Sequence, residues 1–247
     1  MDKEQYEILF RMEERHWWYL GMQRIVGSLL SRYLDQGKTP RILDAGCGTG
    51  GMLKYLGRFG PAVGLDLAEE ATVLARRRGL TSMIRGTVES LPFAERRFDL
   101  VVSLDVLYHQ AVGNDLLALA EFHRVLTPGG LAIIRVPAYD WLRGAHDVAV
   151  QTRHRYYRRE LVAKLEGVGF KVRKLTHANS LLFPIAALKR LAEGTDHSLR
   201  PDLSLPPPPF NRALLGVLTL ESAMVPFLSF PWGLSLIAVA TKDETSR

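Results

Sequence analysis

Arg41-Ile42-Leu43-Asp44-Ala45-Gly46-Cys47-Gly48-Thr49-Gly50 decides how this chain is read. Ile42 and Leu43 supply a short apolar strand that runs straight into a turn built on three glycines. Gly46, Gly48 and Gly50 let the backbone turn sharply and approach a ligand more closely than a Cβ would permit. A helix is expected from about Gly51 to Arg58, its N-terminus aimed at whatever occupies the turn.

The neighbouring residues narrow the choice of ligand. A dinucleotide turn wants G-x-G-x-x-G, with the last glycine placed for helix packing. Here the glycines alternate and Asp44 precedes them, and a carboxylate at that point repels a pyrophosphate and suits a cation. A phosphate-binding P-loop is excluded because no Gly-Lys-Ser/Thr closes the turn. An ordinary tight strand-to-helix turn is the plainer alternative. Pro61 to Leu67, a second apolar run, ends in Gly64-Leu65-Asp66. An acid at the carboxyl end of a strand stands where open α/β sheets bind ligands, and it can accept two ribose hydroxyls. Met83 to Gly86 reads as a third strand with the loop Thr87-Val88-Glu89-Ser90-Leu91-Pro92-Phe93 behind it, and Phe98 to Asp105 as a fourth. Leu126-Thr127-Pro128-Gly129-Gly130 ends a helix before a fifth strand, Leu131 to Val136.

Taken in this order, the stretches resemble the motifs of the class I S-adenosylmethionine (SAM) dependent methyltransferases over roughly residues 38–140. The resemblance implies an α/β, Rossmann-like fold: a seven-stranded, mostly parallel sheet with helices on both faces and its last strand antiparallel. It implies SAM as cofactor and S-adenosylhomocysteine as product. It also implies cofactor contacts from Asp44, Gly46, Cys47 and Gly48 in the turn, and from Asp66 and Leu67 at the ribose. Thr87, Val88 and Glu89 would face the adenine, and Leu104 and Asp105 the methionine part. Many relatives carry an aspartate where Thr87 stands, so the adenine-amine contact passes to the Val88 backbone or to Glu89.

The bulk properties fit such a chain. At 247 residues and 47% hydrophobic content it can bury a full core as one domain with insertions. The formal charge of +6 permits an acidic partner without requiring one. That charge is spread along the chain with no RNA-binding module appended, so nucleic acid is not expected. A single cysteine, Cys47, excludes an intramolecular disulfide and fits a reducing compartment. Its place in the glycine turn favours packing over nucleophilic catalysis. The charged amino-terminal stretch without an apolar signal-type core argues against export, for a cytoplasmic protein.

Tyr6 to Glu14 has helical spacing, and His16-Trp17-Trp18-Tyr19-Leu20-Gly21 follows, with Arg24 in a second amphipathic helix to about Leu34. Three adjacent aromatics cannot all face one core, so at least one is expected to line a surface or cleft. A subset of the class resembles this start, an acidic helix, a His-aromatic-Trp-aromatic run and Gly-x-x-Arg, and uses it as a lid. That resemblance implies Trp17 and Tyr19 over the cofactor and Arg24 paired with its carboxylate; a helix merely packed on the sheet edge is the alternative. The expected division is a helical cap over 1–37, a SAM-binding core over 38–178, a helical substrate-covering insertion over 179–232, and the last strand with a tail over 233–247.

Val106-Leu107-Tyr108-His109 follows the fourth strand, at its ligand-binding end. His109 is the first candidate general base, because imidazole titrates near neutral pH and could take a proton from a hydroxyl; a structural or cofactor-contacting role is the alternative. Tyr139 to Tyr157 is dense in polar and aromatic groups. It resembles the H-D-x-x-V and H-x-R-x-Y pattern that accompanies the aromatic cap, so cap and loop are expected to close one pocket. Tyr108, Tyr139, Trp141, Arg155 and Tyr156 are the expected substrate contacts, and His146 and His154 are further base candidates. No metal is expected, since His146, Asp147 and His154 lie on a loop without a cysteine or second carboxylate.

The insertion reads as an apolar helix around Leu181 to Ala192, a proline-rich linker through Pro206 to Pro209, and a second helix from about Phe210 to Met224. Glu221 interrupts the last, which is too short to span a membrane. Packing of the insertion on its own domain is the default, with peripheral membrane contact through 179–232, a homodimer interface and a wall over an apolar substrate pocket as the other readings; the oligomeric state is monomer or homodimer. The expected function is methyl transfer to a small-molecule acceptor, O-methylation favoured, in secondary-metabolite, sugar or lipid-linked biosynthesis. An RNA-modifying methyltransferase and a SAM-binding cyclase or regulator on the same fold are the rivals.

Overall fold

The computed structural model describes residues 3–35, 37–193 and 205–243. Its elements are α1 (Lys3–Met12), α2 (Trp17–Tyr33), β1 (Ile42–Ala45), α3 (Gly51–Leu56), β2 (Ala62–Asp66), α4 (Glu69–Arg77), β3 (Met83–Arg85), β4 (Phe98–Leu104), α5 (Asp115–Val125), β5 (Leu126–Pro137), α6 (Ala145–Ala149), α7 (Arg158–Gly167), β6 (Phe170–Ala178), α8 (Phe183–Glu193), α9 (Pro208–Met224) and β7 (Ser235–Lys242). The strands form one seven-stranded sheet in the order β3-β2-β1-β4-β5-β7-β6. β7 runs antiparallel to both its neighbours, β5 and β6, and the remaining pairs are parallel.

The order reverses beside β1, where the sheet binds ligands by the rule for open α/β folds. β1 is buried along its whole length, so it is an unbroken apolar run except at Asp44. Side chains alternate between two packed faces. Ile42, Leu100 and Val102 pack with Met22, Ile25, Leu29 and Leu30 of α2 and Leu218 of α9. Leu43, Ala45 and Val101 face Leu119 and Phe122 of α5 and Leu161 and Leu165 of α7. Each of those buried aliphatic side chains contributes about 1.5–3 kcal/mol.

α2 is therefore part of a core layer, and α1 with the first turn of α2 is the portion that lies over the ligand edge. Two boundaries differ from expectation. The helix after the glycine turn stops at Leu56 rather than Arg58. The proline run is not all linker, because Pro208 and Pro209 sit in the first turn of α9. A missing N–H costs nothing there, since no carbonyl of the helix awaits it. Residues 194–204 of the expected insertion and 244–247 of the tail lie outside the described residues. Among the described residues no helix is long and apolar enough to cross a membrane.

Candidate functional site

A cavity of about 1040 Å³ opens at the carboxyl ends of β1, β2, β4 and β5, roofed by α1, the start of α2 and the start of α8. The glycine turn forms one wall. Gly46, Gly48 and Gly50 all have positive φ, and a Cβ on Gly46 would lie 2.2 Å from Cγ2 of Val106. Turn geometry and close packing both require glycine there. The turn closes on Asp66: Gly48 N–H donates to its Oδ2 at 2.9 Å, and Ala68 N–H to its Oδ1 at 3.0 Å. The Tyr6 hydroxyl of α1 donates to the same carboxylate. Cys47 is buried with its sulfur 3.5 Å from that of Met83, a packing position, and burial pushes its thiol up.

Asp44 is the costly residue. It lines the cavity at 2% exposure, and its Oδ2 has no hydrogen-bond partner. Burial first, then the charges of Glu13 and Asp66, push its carboxyl well above the usual range. An unmatched acid beside a cavity suits a cationic or hydrogen-donating ligand, so the residues present fit the ammonium and ribose hydroxyls of SAM.

α1 is locked to the turn by a buried knot. Glu13 accepts hydrogen bonds from the Thr49 hydroxyl, from Gly51 N–H at 3.1 Å and from Arg78 Nη2 at 2.9 Å. Arg78 also donates to the Thr49 carbonyl at 2.8 Å and sits 4.3 Å from the Phe10 ring centre. Glu13 thus caps α3, the short helix after the glycines, and its own carboxyl is pushed up to about 7 by burial.

Arg135 on β5 also lines the cavity; it pairs with Asp105 and lies 4.8 Å from the Trp18 ring, which packs edge-on against Tyr19. Trp17, Trp18 and Tyr19 all line the cavity. Tyr108 and His109 line it as well. The His109 Nδ1 accepts from Ala111 N–H at 3.0 Å, so the neutral ring carries its proton on Nε2. Burial lowers its pKa. His16, which also lines the cavity, caps α2 by accepting from Trp18 N–H through Nδ1 at 3.2 Å. It too carries its proton on Nε2. Nδ1 of both imidazoles is thus engaged by a backbone N–H.

Of the expected contacts, Trp17, Tyr19, Asp44, Gly46, Cys47, Gly48, Asp66, Leu67, Thr87, Val88, Leu104, Asp105, Tyr108, His109 and Arg155 line the cavity. Six others lie elsewhere, each for a physical reason. Arg24 donates to the Thr219 hydroxyl on α9. Glu89 accepts from Asn114 N–H at 2.7 Å, at the start of α5. Tyr156 is a core residue whose hydroxyl donates to Asp115 at 2.6 Å. Tyr139 hydrogen-bonds Nε2 of His177 at 2.8 Å and stacks on that ring. Trp141 is half exposed against Phe183. His154 is held by the Glu160 carboxylate at 2.8 Å, at the start of α7. His146 lies on α6, and its side chain is outside the described residues. Arg155 meets the cavity as half of a buried ion pair with Asp147, at 2.8 Å. Sequence reasoning missed Tyr6, Glu13, Trp18, Arg135 and Asn179; the acidic pair Glu13-Glu14 at the end of the first helical stretch was the only sequence feature at Glu13, and it does not single that residue out.

Residues 43–134 match the family model described as a methyltransferase domain. Among curated proteins, the malonyl-[acyl-carrier protein] O-methyltransferase of Erwinia billingiae is 34% identical over 126 residues, 50% of this chain and 49% of that one. The fatty-acid O-methyltransferase of Mycolicibacterium smegmatis is 37% identical over 123 residues, 45% and 44% of the two chains. A probable tRNA methyltransferase 9B of Homo sapiens is 36% identical over 100 residues, 40% of this chain and 22% of that one. The chain spans about half the length, or less, of these curated relatives. In fold it is similar to a chain of the complex between the Haloferax volcanii Trm112 methyltransferase activator and a methyltransferase, at TM-score 0.62 and 21% identity over 94% of this chain and 92% of that one.

Proposed function

We propose that this chain, whose residues 43–134 are a methyltransferase domain of the class I, SAM-dependent family, esterifies a small, largely apolar carboxylic acid. The observation that carries this reading is the cavity itself. One end is lined by the glycine turn with Asp44 and Asp66, the other by Leu142, Val150, Leu182, Ala186 and Leu234. At about 1040 Å³ it reaches the top of the range for small-molecule sites, roughly 300–1000 Å³, which gives room for a cofactor and an acceptor together.

SAM, held by Asp44, Gly48 and Asp66, would supply an electrophilic methyl on its sulfonium for transfer to the acceptor oxygen, with S-adenosylhomocysteine as the leaving group. An acceptor that is already ionised needs no base. In support of this, His16 and His109 both line the cavity and each accepts a backbone N–H through Nδ1, which engages that nitrogen rather than leaving it available as a base. The chain's part is to hold the cofactor through Asp44, Gly48 and Asp66, to exclude water under α1 and the aromatic cap, and to position the acceptor oxygen. The curated relatives named for malonyl-acyl carrier and fatty-acid O-methylation support the same acceptor class. So does α8, where Leu182, just before the helix, and Ala186 line the cavity while Ile185 and Leu188 are exposed, an apolar route in from the surface or from a lipid.

The test is transfer from labelled SAM to dodecanoic acid and to dodecanol. The acid is expected to yield its methyl ester and the alcohol nothing. His109→Ala is expected to lower kcat/KM by about tenfold without changing SAM affinity, the loss of one hydrogen-bond donor. Methylation of the alcohol, together with a loss of 10²-fold or more in that variant, would restore His109 as a base. A second reading, RNA methylation, is favoured by the tRNA methyltransferase relative. Label appearing in bulk tRNA and not in the acid would replace the first reading with it.

A further inference from the structure

The end of β6 carries a polar group that the methyl-transfer reading leaves unused. Asn179 follows Ala178 with a φ of 57°, in the left-handed region. It is 2% exposed, lines the cavity, and its Oδ1 has no hydrogen-bond partner. A buried amide oxygen without a partner is left desolvated and unpaired, so a ligand that supplies a donor is favoured there.

The backbone beneath Asn179 is held by a dedicated anchor. Glu221, fully buried on α9, accepts from Ser180 N–H at 2.8 Å and Leu181 N–H at 3.0 Å, and from the backbone of Asn179 itself. Three consecutive N–H groups on one carboxylate fix the turn. The side chain is thereby presented to the cavity beside Ser235, which opens β7 opposite Ala178. Between Asn179 and Asp105 lie three strand spacings, from β6 through β7 and β5 to β4, about 14 Å at the usual 4.8 Å per strand. The lining nearer Asn179 includes Leu182, Ala186 and Leu234.

We propose that Asn179 is a specificity-determining residue: its amide oxygen accepts from a hydroxyl or amide N–H borne by the acceptor, about 14 Å from the atom that is methylated. The acceptor is an elongated molecule, apolar along most of its length, with a polar group remote from its reactive end. This deepens the carboxylic-acid reading and rests on it; the reactive end is taken at Asp105, which lines the cavity and is the expected contact of the methionine part of SAM.

The test compares binding of ω-hydroxydodecanoic acid and dodecanoic acid to the S-adenosylhomocysteine complex by calorimetry, for wild type and for Asn179→Gly. Glycine keeps the left-handed backbone at no cost and removes only the amide, so the variant retains the turn; an unchanged melting temperature checks it. Wild type is expected to bind the hydroxy acid about tenfold more tightly, and Asn179→Gly is expected to bind the two acids equally. Equal binding by wild type, or a preference that survives in Asn179→Gly, overturns the proposal, because a residue needed for its backbone alone has no effect on this ratio. The readout is binding, so failure of the methylation reading appears separately, as absence of ester from acids that do bind.

Discussion

Glu13 concentrates the chemistry of the cap in one side chain. Its carboxylate closes the N-terminus of α3 and pairs with the buried Arg78, yet burial outweighs those contacts and lifts its pKa from 4.5 to about 7. The unfolded chain releases this proton near 4.5, whereas the folded protein keeps it until about 7. The folded state therefore binds more protons through that window, and the Glu13 contribution to stability falls as pH rises across it. The melting temperature of wild type relative to that of Glu13→Gln is expected to fall between about pH 5 and about pH 7; parallel curves would show that Glu13 does not titrate there. Asp44 and Asp66 were legible in the sequence because strand and motif order gave each a fixed place. Tyr6, Glu13 and Arg78 were not, because side chains from α1, the glycine turn and the end of α4 meet only in three dimensions.

At the scale of elements, the packing of α2 on α9 explains a motif that pointed elsewhere in the sequence. Gly21 and Arg24 are three residues apart, hence on one helix face, and that face looks at α9 rather than at the cavity. A Cβ on Gly21 would lie 2.3 Å from Cδ1 and 2.6 Å from Cβ of Leu218, and Arg24 donates to Thr219. Asn211 completes the join, accepting from Trp17 N–H at 2.9 Å and donating to the Arg15 carbonyl at 2.9 Å. Gly21→Val is expected to destabilise the protein by about 1–3 kcal/mol through overpacking, read as a fall of several degrees in melting temperature. An unchanged melt would mean that the two helices separate freely. The strands and most helices were readable from periodicity and breakers, and the left-handed turn at Asn179 was not. Its cause is Glu221, 42 positions away in the chain, which in sequence marks only a break in an apolar run.

For the whole molecule, the sheet brings every strand end that carries chemistry to one edge, and the cap, the β5–α7 loop and the segment around α8 share a single cavity over it. The glycine turn and the acids at the ends of β1, β2 and β4 were legible because each is local in sequence. The split of the polar loop was not. Tyr156 and His154 were drawn off by Asp115 and Glu160, ordinary hydrogen-bonding partners that sequence spacing does not reveal.

The most direct test of the cofactor site is calorimetric titration of S-adenosylhomocysteine into wild type and Asp66→Ala. Wild type is expected to bind one equivalent, and the variant to bind at least tenfold more weakly, because two ribose hydroxyls lose their acceptor. No binding by the wild-type protein, or equal binding by both, would contradict the account.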